Sequence, residues 1–333
     1  MVKEKKDVVY LGLIGCGGIG RHHLRMLEKV KGAEVIAAAD PVEEALAGVK
    51  KDFGIERTFQ DYRQLLKIPE IEGIICGTPT HLHAEIVVAA AQAGKHVFCE
   101  KPMARTLPEA DRMIEVCQKS EVKLQIGFVR RFDEEWLKFK EMVTSGIIGH
   151  PVVWRQLAVG SGPKAEWYYD WEKGGGPFLD GAVHTYDFAV YTFGEPVEIK
   201  SSLLKFKKFT APDTGSVDVT FCSGNRLHLF WSWGLPAGVS AGYTMDAVGP
   251  EGILVFGTYQ EKKPRWFTLR KEGGKEKKMG RHSSGSLGKA FVAQLQHFTD
   301  CIREDRNPLV DGVEGRKSLE IAVEVLRQWK KKQ

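Results

Sequence analysis

A doubly wound parallel α/β domain, followed by an α+β domain on a large, mostly antiparallel open sheet, is the fold class this sequence predicts. Three observations carry the prediction. Short apolar, β-branched runs alternate with helical stretches early in the chain; a glycine-rich turn closes the first of those runs; and from about His150 polar and apolar residues take turns along the segments. The expected division is a dinucleotide-binding domain over residues 1–128 and a substrate-binding and oligomerisation domain over 129–333, whose closing helices are free to pack back on the first.

Val8 to Ile14 is a continuous apolar run, as expected of a strand buried on both faces, and "GCGGIG" follows at once, before the helical "RHHLRMLEKV". The three spaced glycines have separate tasks: Gly15 for a tight turn, Gly17 for close approach of backbone to a pyrophosphate, Gly20 for packing of helix on strand. A helix N-terminus offers that anion free N–H groups, so Gly15, Gly17, Gly18, Ile19 and Gly20 are candidate contacts of a Rossmann-type site. The next strand, "AEVIAAAD", ends in Asp40, at the distance expected for a ribose contact. A carboxylate there accepts from both ribose hydroxyls and repels a 2′-phosphate, and no Arg or Lys immediately follows it. NAD is the expected cofactor, with NADP the second choice.

The alternation continues with helices near Val42 to Lys51 and Tyr62 to Leu66, a strand at Gly73 to Cys76, "GTPTHLH", and a helix through Glu85 to Ala93. Strands at Val97 to Cys99 and Val122 to Gly127 bracket a helix over Pro108 to Ser120. Gly15 to Gly20, Thr78 to Thr80 and Glu100 to Pro102 all fall at strand ends, where ligands of such sheets bind. In the second half, Val152 to Val159, Val197 to Phe206, Val217 to Cys222, Arg226 to Trp233, Ala241 to Val248 and Arg265 to Arg270 read as strands, with "GPEGILVF" and "CSGNRLHL" as hairpin turns. Two helices, near Lys289 to Arg303 and Glu314 to Lys330, close the chain.

"GGGPFLDGAVHTYD" predicts a further helix over Phe178 to Phe193, with Pro177 in its first turn and Gly194 and Pro196 stopping it. At 3.6 residues per turn Asp180, His184 and Asp187 share one stripe, and Ala182, Tyr186, Ala189 and Phe193 form another roughly opposite. The polar stripe is either a solvated face or a site; the preceding glycines let another backbone or a ligand approach closely.

Composition removes several classes. The 48 basic and 43 acidic residues leave a net charge of +5, and the basic excess sits in short runs, Lys271 to Lys278 and Lys330 to Lys332, that read as solvated loop and frayed end, so no nucleic-acid partner is expected. Six scattered cysteines with no CxxC pair or metal-like Cys/His cluster predict neither disulfides nor metal. The charged lead "MVKEKK" and the lack of a long apolar stretch predict no signal peptide and no membrane span, hence a cytoplasmic protein.

Taken in order, "GLIGCGGIG", "GTPTHLH", "EKP" at Glu100 to Pro102, "GGGPFLDGAVHTYD" and the closing "FVAQLQHFTDCIREDRNPLVDGVEGRKSLEIAVEVL" resemble the Gfo/Idh/MocA oxidoreductases over nearly the whole chain. The resemblance implies NAD(P)-dependent hydride transfer at a secondary hydroxyl of a sugar, cyclic polyol or sugar derivative, in a homodimer or homotetramer assembled through the C-terminal sheet. It implies that Lys101, Asp180 and His184 are catalytic and that Thr78, Pro79, His83, Glu100 and Lys101 join the glycine loop and Asp40 around the cofactor. Neutral His184 is suited to take the hydroxyl proton while the Lys101 ammonium polarises the hydroxyl; the reverse assignment stays open, with Asp180 orienting the pair. Arg131, Tyr243 and Trp167 are the expected substrate contacts. Val129, "WRQLAV" and Phe291 depart from the inositol-binding pattern and leave the substrate itself open. Two alternatives share the fold: an NAD-dependent glycosidase and a non-catalytic nucleotide sensor.

Overall fold

The computed structural model describes residues 8–258, 266–281 and 286–332; the charged lead and Arg265 lie outside them. The chain forms two compact units, Met1–Phe132 with Leu287–Arg316, and Asp133–Ser286 with Lys317–Gln333.

The first unit runs β1 (Val9–Ile14), α1 (Gly18–Leu27), β2 (Ala33–Ala39), α2 (Glu43–Phe53), β3 (Arg57–Phe59), α3 (Tyr62–Leu66), β4 (Gly73–Cys76), α4 (His83–Gln92), β5 (His96–Cys99), α5 (Leu107–Lys119) and β6 (Leu124–Ile126). Its strands are all parallel in the order β3-β2-β1-β4-β5-β6. The chain reverses direction across the sheet between β1 and β4, so the crevice beyond Ile14 and Cys76 is the place where such sheets take ligands. Local chemistry fixes the ends of elements: Thr106 caps α5 in a reciprocal capping box with Glu109, worth about 1 kcal/mol, and Gly54 ends α2 at φ +68°.

The second unit begins with α6 (Glu134–Thr144), continues through β7 (Val153–Val159), α7 (Val183–Phe193), β8 (Pro196–Leu204), β9 (Thr214–Phe221), β10 (Arg226–Ser232), β11 (Gly242–Gly249), β12 (Gly252–Thr258), β13 (Trp266–Arg270) and β14 (Glu276–Arg281), and is followed by α8 (Ser286–Arg303) and α9 (Gly312–Lys330). The sheet order is β14-β13-β12-β11-β7-β10-β9-β8, antiparallel throughout except for the parallel pair β7 and β10. Trp154 and Gln156 of β7 point into the covered face, while Arg155 and Leu157 point to the open one. The covered face is aromatic: Phe139 of α6 lies 5.0 Å from Trp154 and 4.5 Å from Phe256, and Phe193 of α7 packs 5.5 Å from Phe221.

The division between the units falls within α9, after Arg316. Leu295 and Phe298 of α8 join Leu11, Leu13, Leu24 and Val49 in the first unit's core, each such burial worth about 1.5–3 kcal/mol. Gln328 near the end of α9 accepts from the Ser201 amide at 2.9 Å and donates to the Ile199 carbonyl at 2.7 Å, giving the edge strand β8 the partner it lacks on that side.

Four sequence expectations change. "GPEGILVF" is a turn only at Pro250 and Glu251, and Gly252 onward is strand β12. The basic run read as a loop enters strand β14 at Glu276, where Arg270 pairs with Glu276 across the hairpin. α6 was not anticipated, although Asp133 caps it by accepting from Glu135 N. The helix expected from Phe178 opens instead as a π turn, Pro177–Gly181, and becomes α-helical only at Val183.

Candidate active site

The glycine loop of the first unit follows from three backbone constraints. Gly15 has φ +95°, and a Cβ on it would stand 2.7 Å from the Gly77 carbonyl carbon, so only glycine lets the ends of β1 and β4 meet. A Cβ on Gly20 would run into the Gly15 carbonyl oxygen, which sets how closely α1 packs on the loop. Nothing lies within 4 Å of a Cβ on Gly17 or Gly18, so the loop is open there. Gly17 caps α1 without a side-chain bond and no acid occupies the first turn, leaving the amides around half-buried Ile19 available to an anion. Asp40 braces the loop from β2: its carboxylate accepts from Cys16 N at 2.7 Å and from Val42 N at 2.9 Å. Burial, reinforced by the Asp40 charge, pushes the Cys16 thiol up to about 12, so it is inert at neutral pH.

The ends of β4 and β5 carry the next group. Thr78 and Pro79 are half-buried; His83, fully buried, has Nε2 2.8 Å from the Thr78 carbonyl and Nδ1 2.8 Å from the Pro102 carbonyl, so it ties the two strand ends together. Cys76 and Cys99 are opposite each other in register, and their sulfurs and a His83 nitrogen lie within 4.8 Å of one another. The sequence reading found no such cluster, because strand pairing rather than spacing creates it. With both His83 nitrogens facing carbonyl oxygens, neither directs a lone pair at the thiols, which argues against metal ligation. The two sulfurs form an unequal pair: the hydrogen bond from Cys99 draws the Cys76 thiol down, and burial drives Cys99 up.

Glu100 turns inward. Its Oε1 is 2.7 Å from His23 Nε2 and its Oε2 accepts from Lys101 N at 3.1 Å. Burial alone would raise its pKa, but the His23 hydrogen bond and charge, with Lys101, outweigh that and hold the carboxyl below its usual range. Lys101 follows, half-buried, at a cis bond to Pro102. Arg131, expected to reach substrate, has its guanidinium buried and paired with Glu314 at 2.9 Å.

In the second unit, the glycine run approaches protein backbone. A Cβ on Gly174 would stand 2.5 Å from Tyr168 Cα, and one on Gly176, at φ +75°, 2.5 Å from the Pro212 carbonyl oxygen. The Ala182 amide then donates to Pro177 O at 2.7 Å, five residues back, closing the π turn that carries Asp180. Neither acid of the predicted polar stripe is solvated: Asp180 is 7% exposed and Asp187 1%, while His184 between them is partly exposed. Tyr186 on the other side is also buried, and within α7 only His184, Tyr191 and Thr192 are partly exposed, so burial runs well beyond the predicted apolar stripe and the two-sided helix of the sequence reading does not hold. Gln156 of β7 exchanges hydrogen bonds with Thr185 at 2.9 and 3.2 Å, fixing the roll of α7 beside His184. Trp167 is half-buried and stacks on Tyr168 at 3.8 Å, and Tyr243 is half-buried on β11 with its hydroxyl 3.3 Å from the Met245 sulfur.

The parallel sheet, the open glycine loop and the acid at the end of β2 define a dinucleotide-binding α/β unit, here joined to an α+β unit that presents an acid and an imidazole from one buried helix. The family described as "Oxidoreductase family, NAD-binding Rossmann fold" matches residues 9–128, and the GFO/IDH/MocA C-terminal domain matches residues 136–255. The chain belongs to the Gfo/Idh/MocA family; it is an oxidoreductase, and its cofactor is NAD. It is 39% identical over 188 residues to a myo-inositol 2-dehydrogenase of Thermotoga maritima, a match covering 56% of each protein. It is 27% identical over 323 residues to a scyllo-inositol 2-dehydrogenase (NAD(+)) of Bacillus subtilis, covering 95% of this chain and 92% of that one. Among solved structures, a probable dehydrogenase from Thermotoga maritima is 30% identical with a TM-score of 0.77, covering 96% of this chain and 97% of that one. Among the described residues no helix is long and apolar enough to cross a membrane.

Proposed function

We propose that the protein oxidises a secondary hydroxyl of a cyclic polyol or sugar, passing hydride to NAD+, with Lys101, Asp180 and His184 as its catalytic residues. The observation that carries the reading is His184: a partly exposed imidazole between two buried acids, with Asp180 one turn before it, Asp187 after it, and Thr185 pinned to Gln156 beside it. A helix held this way fixes the point from which the imidazole projects, which favours proton transfer. His184 takes the hydroxyl proton as the C–H bond breaks, Lys101 stabilises alkoxide character, and Asp180 orients the imidazole or a neighbouring hydroxyl. Gly17, Gly18 and the first turn of α1 receive the pyrophosphate, Asp40 the ribose. NAD supplies the hydride acceptor. Inositol dehydrogenases among the relatives support a cyclic polyol.

Turnover of a polyol and sugar panel with each cofactor, read at the absorbance of the reduced nicotinamide, tests this. Lys101→Ala and His184→Ala each lower turnover by at least about a hundredfold. Unchanged turnover in both removes the assignment; aryl-glycoside cleavage without net NADH favours the glycosidase reading instead. The same proposal includes a cytoplasmic homodimer or homotetramer through the open face of the second sheet, where Leu157 is 45% exposed; the six free cysteines accord with a reducing compartment.

A further inference from the structure

We propose that His23 is a positioning residue for Lys101, acting through Glu100. The proposal rests on the reading of Lys101 as an active-site lysine. Within α1 the inward positions are Gly20, His23, Leu24 and Leu27, and His23 is an imidazole where the helix pattern calls for an apolar side chain. It is fully buried, and Phe98 and Phe291 stand edge-on to the ring at 5.2 and 5.9 Å. Its Nε2 donates to Glu100 Oε1 at 2.7 Å.

The carboxylate that receives this bond is itself enclosed. Gly127 makes room for it, since a Cβ there would stand 3.2 Å from Oε1. Its second oxygen accepts from the Lys101 amide at 3.1 Å, so Glu100 joins an imidazole on one side to the backbone of Lys101 on the other. A buried carboxylate retains its charge and place only while its partners remain, and here one of those partners is His23. The chain of bonds therefore starts on α1, the helix opened by the glycine loop, and ends at the lysine. A dinucleotide seated on the first turn of α1 acts on a helix already bonded, through His23 and Glu100, to Lys101. Loss of this link misplaces the lysine without removing any group that touches substrate.

The test uses the full chain and three variants, His23→Leu, His23→Gln and Glu100→Gln. Two readouts are taken: kcat and KM for the polyol and NAD+, and the acylation rate of Lys101 by mass spectrometry without substrate, with exposed Lys119 as internal reference. His23→Leu is expected to lower kcat at least about tenfold with polyol KM within about threefold, because misplacement by a fraction of an ångström acts on the transition state. His23→Gln, which keeps a donor for Glu100, recovers to within about threefold of the parent, and Lys101 acylation changes at least about threefold in His23→Leu while Lys119 is unmoved. Parental kcat and Lys101 reactivity in folded His23→Leu overturn the proposal, as does an equal fall in His23→Gln, which marks the ring as packing alone. Should His23→Leu not fold, Glu100→Gln decides, with parental kcat and reactivity again overturning it. Should the parent turn over no polyol, the proposed function fails and Lys101 acylation still judges the link.

Discussion

Asp40 braces the glycine loop and, in the proposed function, holds the ribose with the same carboxylate; replacing it separates the two roles. Its Oδ2 accepts from the Cys16 amide at 2.7 Å inside the glycine loop and its Oδ1 from the Val42 amide at 2.9 Å. Asp40→Ala leaves the amide of buried Cys16 without its partner, which costs about 1–3 kcal/mol of stability. On the proposed ribose assignment it also removes the acceptor for two hydroxyls. Water replaces part of that charged hydrogen bonding, so the net loss is about 2–4 kcal/mol, or roughly 30- to 1000-fold in the Kd of NADH. Asp40→Asn retains one acceptor oxygen for the loop but not the charge that repels a 2′-phosphate, so it weakens NADH binding less and strengthens NADPH binding. Fluorescence titration with both cofactors, alongside thermal melts, reads the two effects separately. NADH and NADPH affinities in Asp40→Ala both within about threefold of the parent would refute the ribose assignment, whatever the melt does.

The glycine loop supplies a matched pair of substitutions. Gly17→Ala meets open space and changes stability by less than about 0.5 kcal/mol while weakening NADH binding; Gly20→Ala meets the Gly15 carbonyl and destabilises by about 1–3 kcal/mol or more. Urea unfolding and NADH titration giving the opposite order would show the loop misread. A second prediction concerns acid. Glu100 has a folded pKa below its unfolded value near 4.5, so its contribution is fully present above that value and is lost as pH falls through the folded one. Because His23→Leu removes the main cause of the depression, the gap in melting temperature between parent and variant narrows from about pH 6 to about pH 3; a gap constant over that range contradicts this.

Much of the first unit was legible in the sequence because its signals are local. Parallel strands buried on both faces show as unbroken apolar runs, and glycines with steric duties sit at fixed offsets, so Val9–Ile14, Gly15 to Gly20 and Asp40 could be read directly. β3 was missed because three residues carry no period. The His23–Glu100 pair joins positions 77 apart; its one trace in the sequence is a histidine three residues after Gly20 on the stripe that continues through Leu24 and Leu27. Arg131 reads from sequence as a substrate contact, and only the fold brings Glu314 to it. The stripe of Asp180, His184 and Asp187 presumes 3.6 residues per turn, a period the π turn does not keep.

That π turn also has an evolutionary consequence. Asp180 lies inside the widened turn, whereas His184 lies in the regular helix after it, held by its neighbour Thr185 to the sheet. Deleting one residue from Pro177–Gly181 would convert the wide turn to an ordinary one and re-aim Asp180 against the regular helix, leaving the imidazole where it is. The acid and the imidazole can thus be re-aimed independently, and a lineage could try a new substrate by changing the length of one turn.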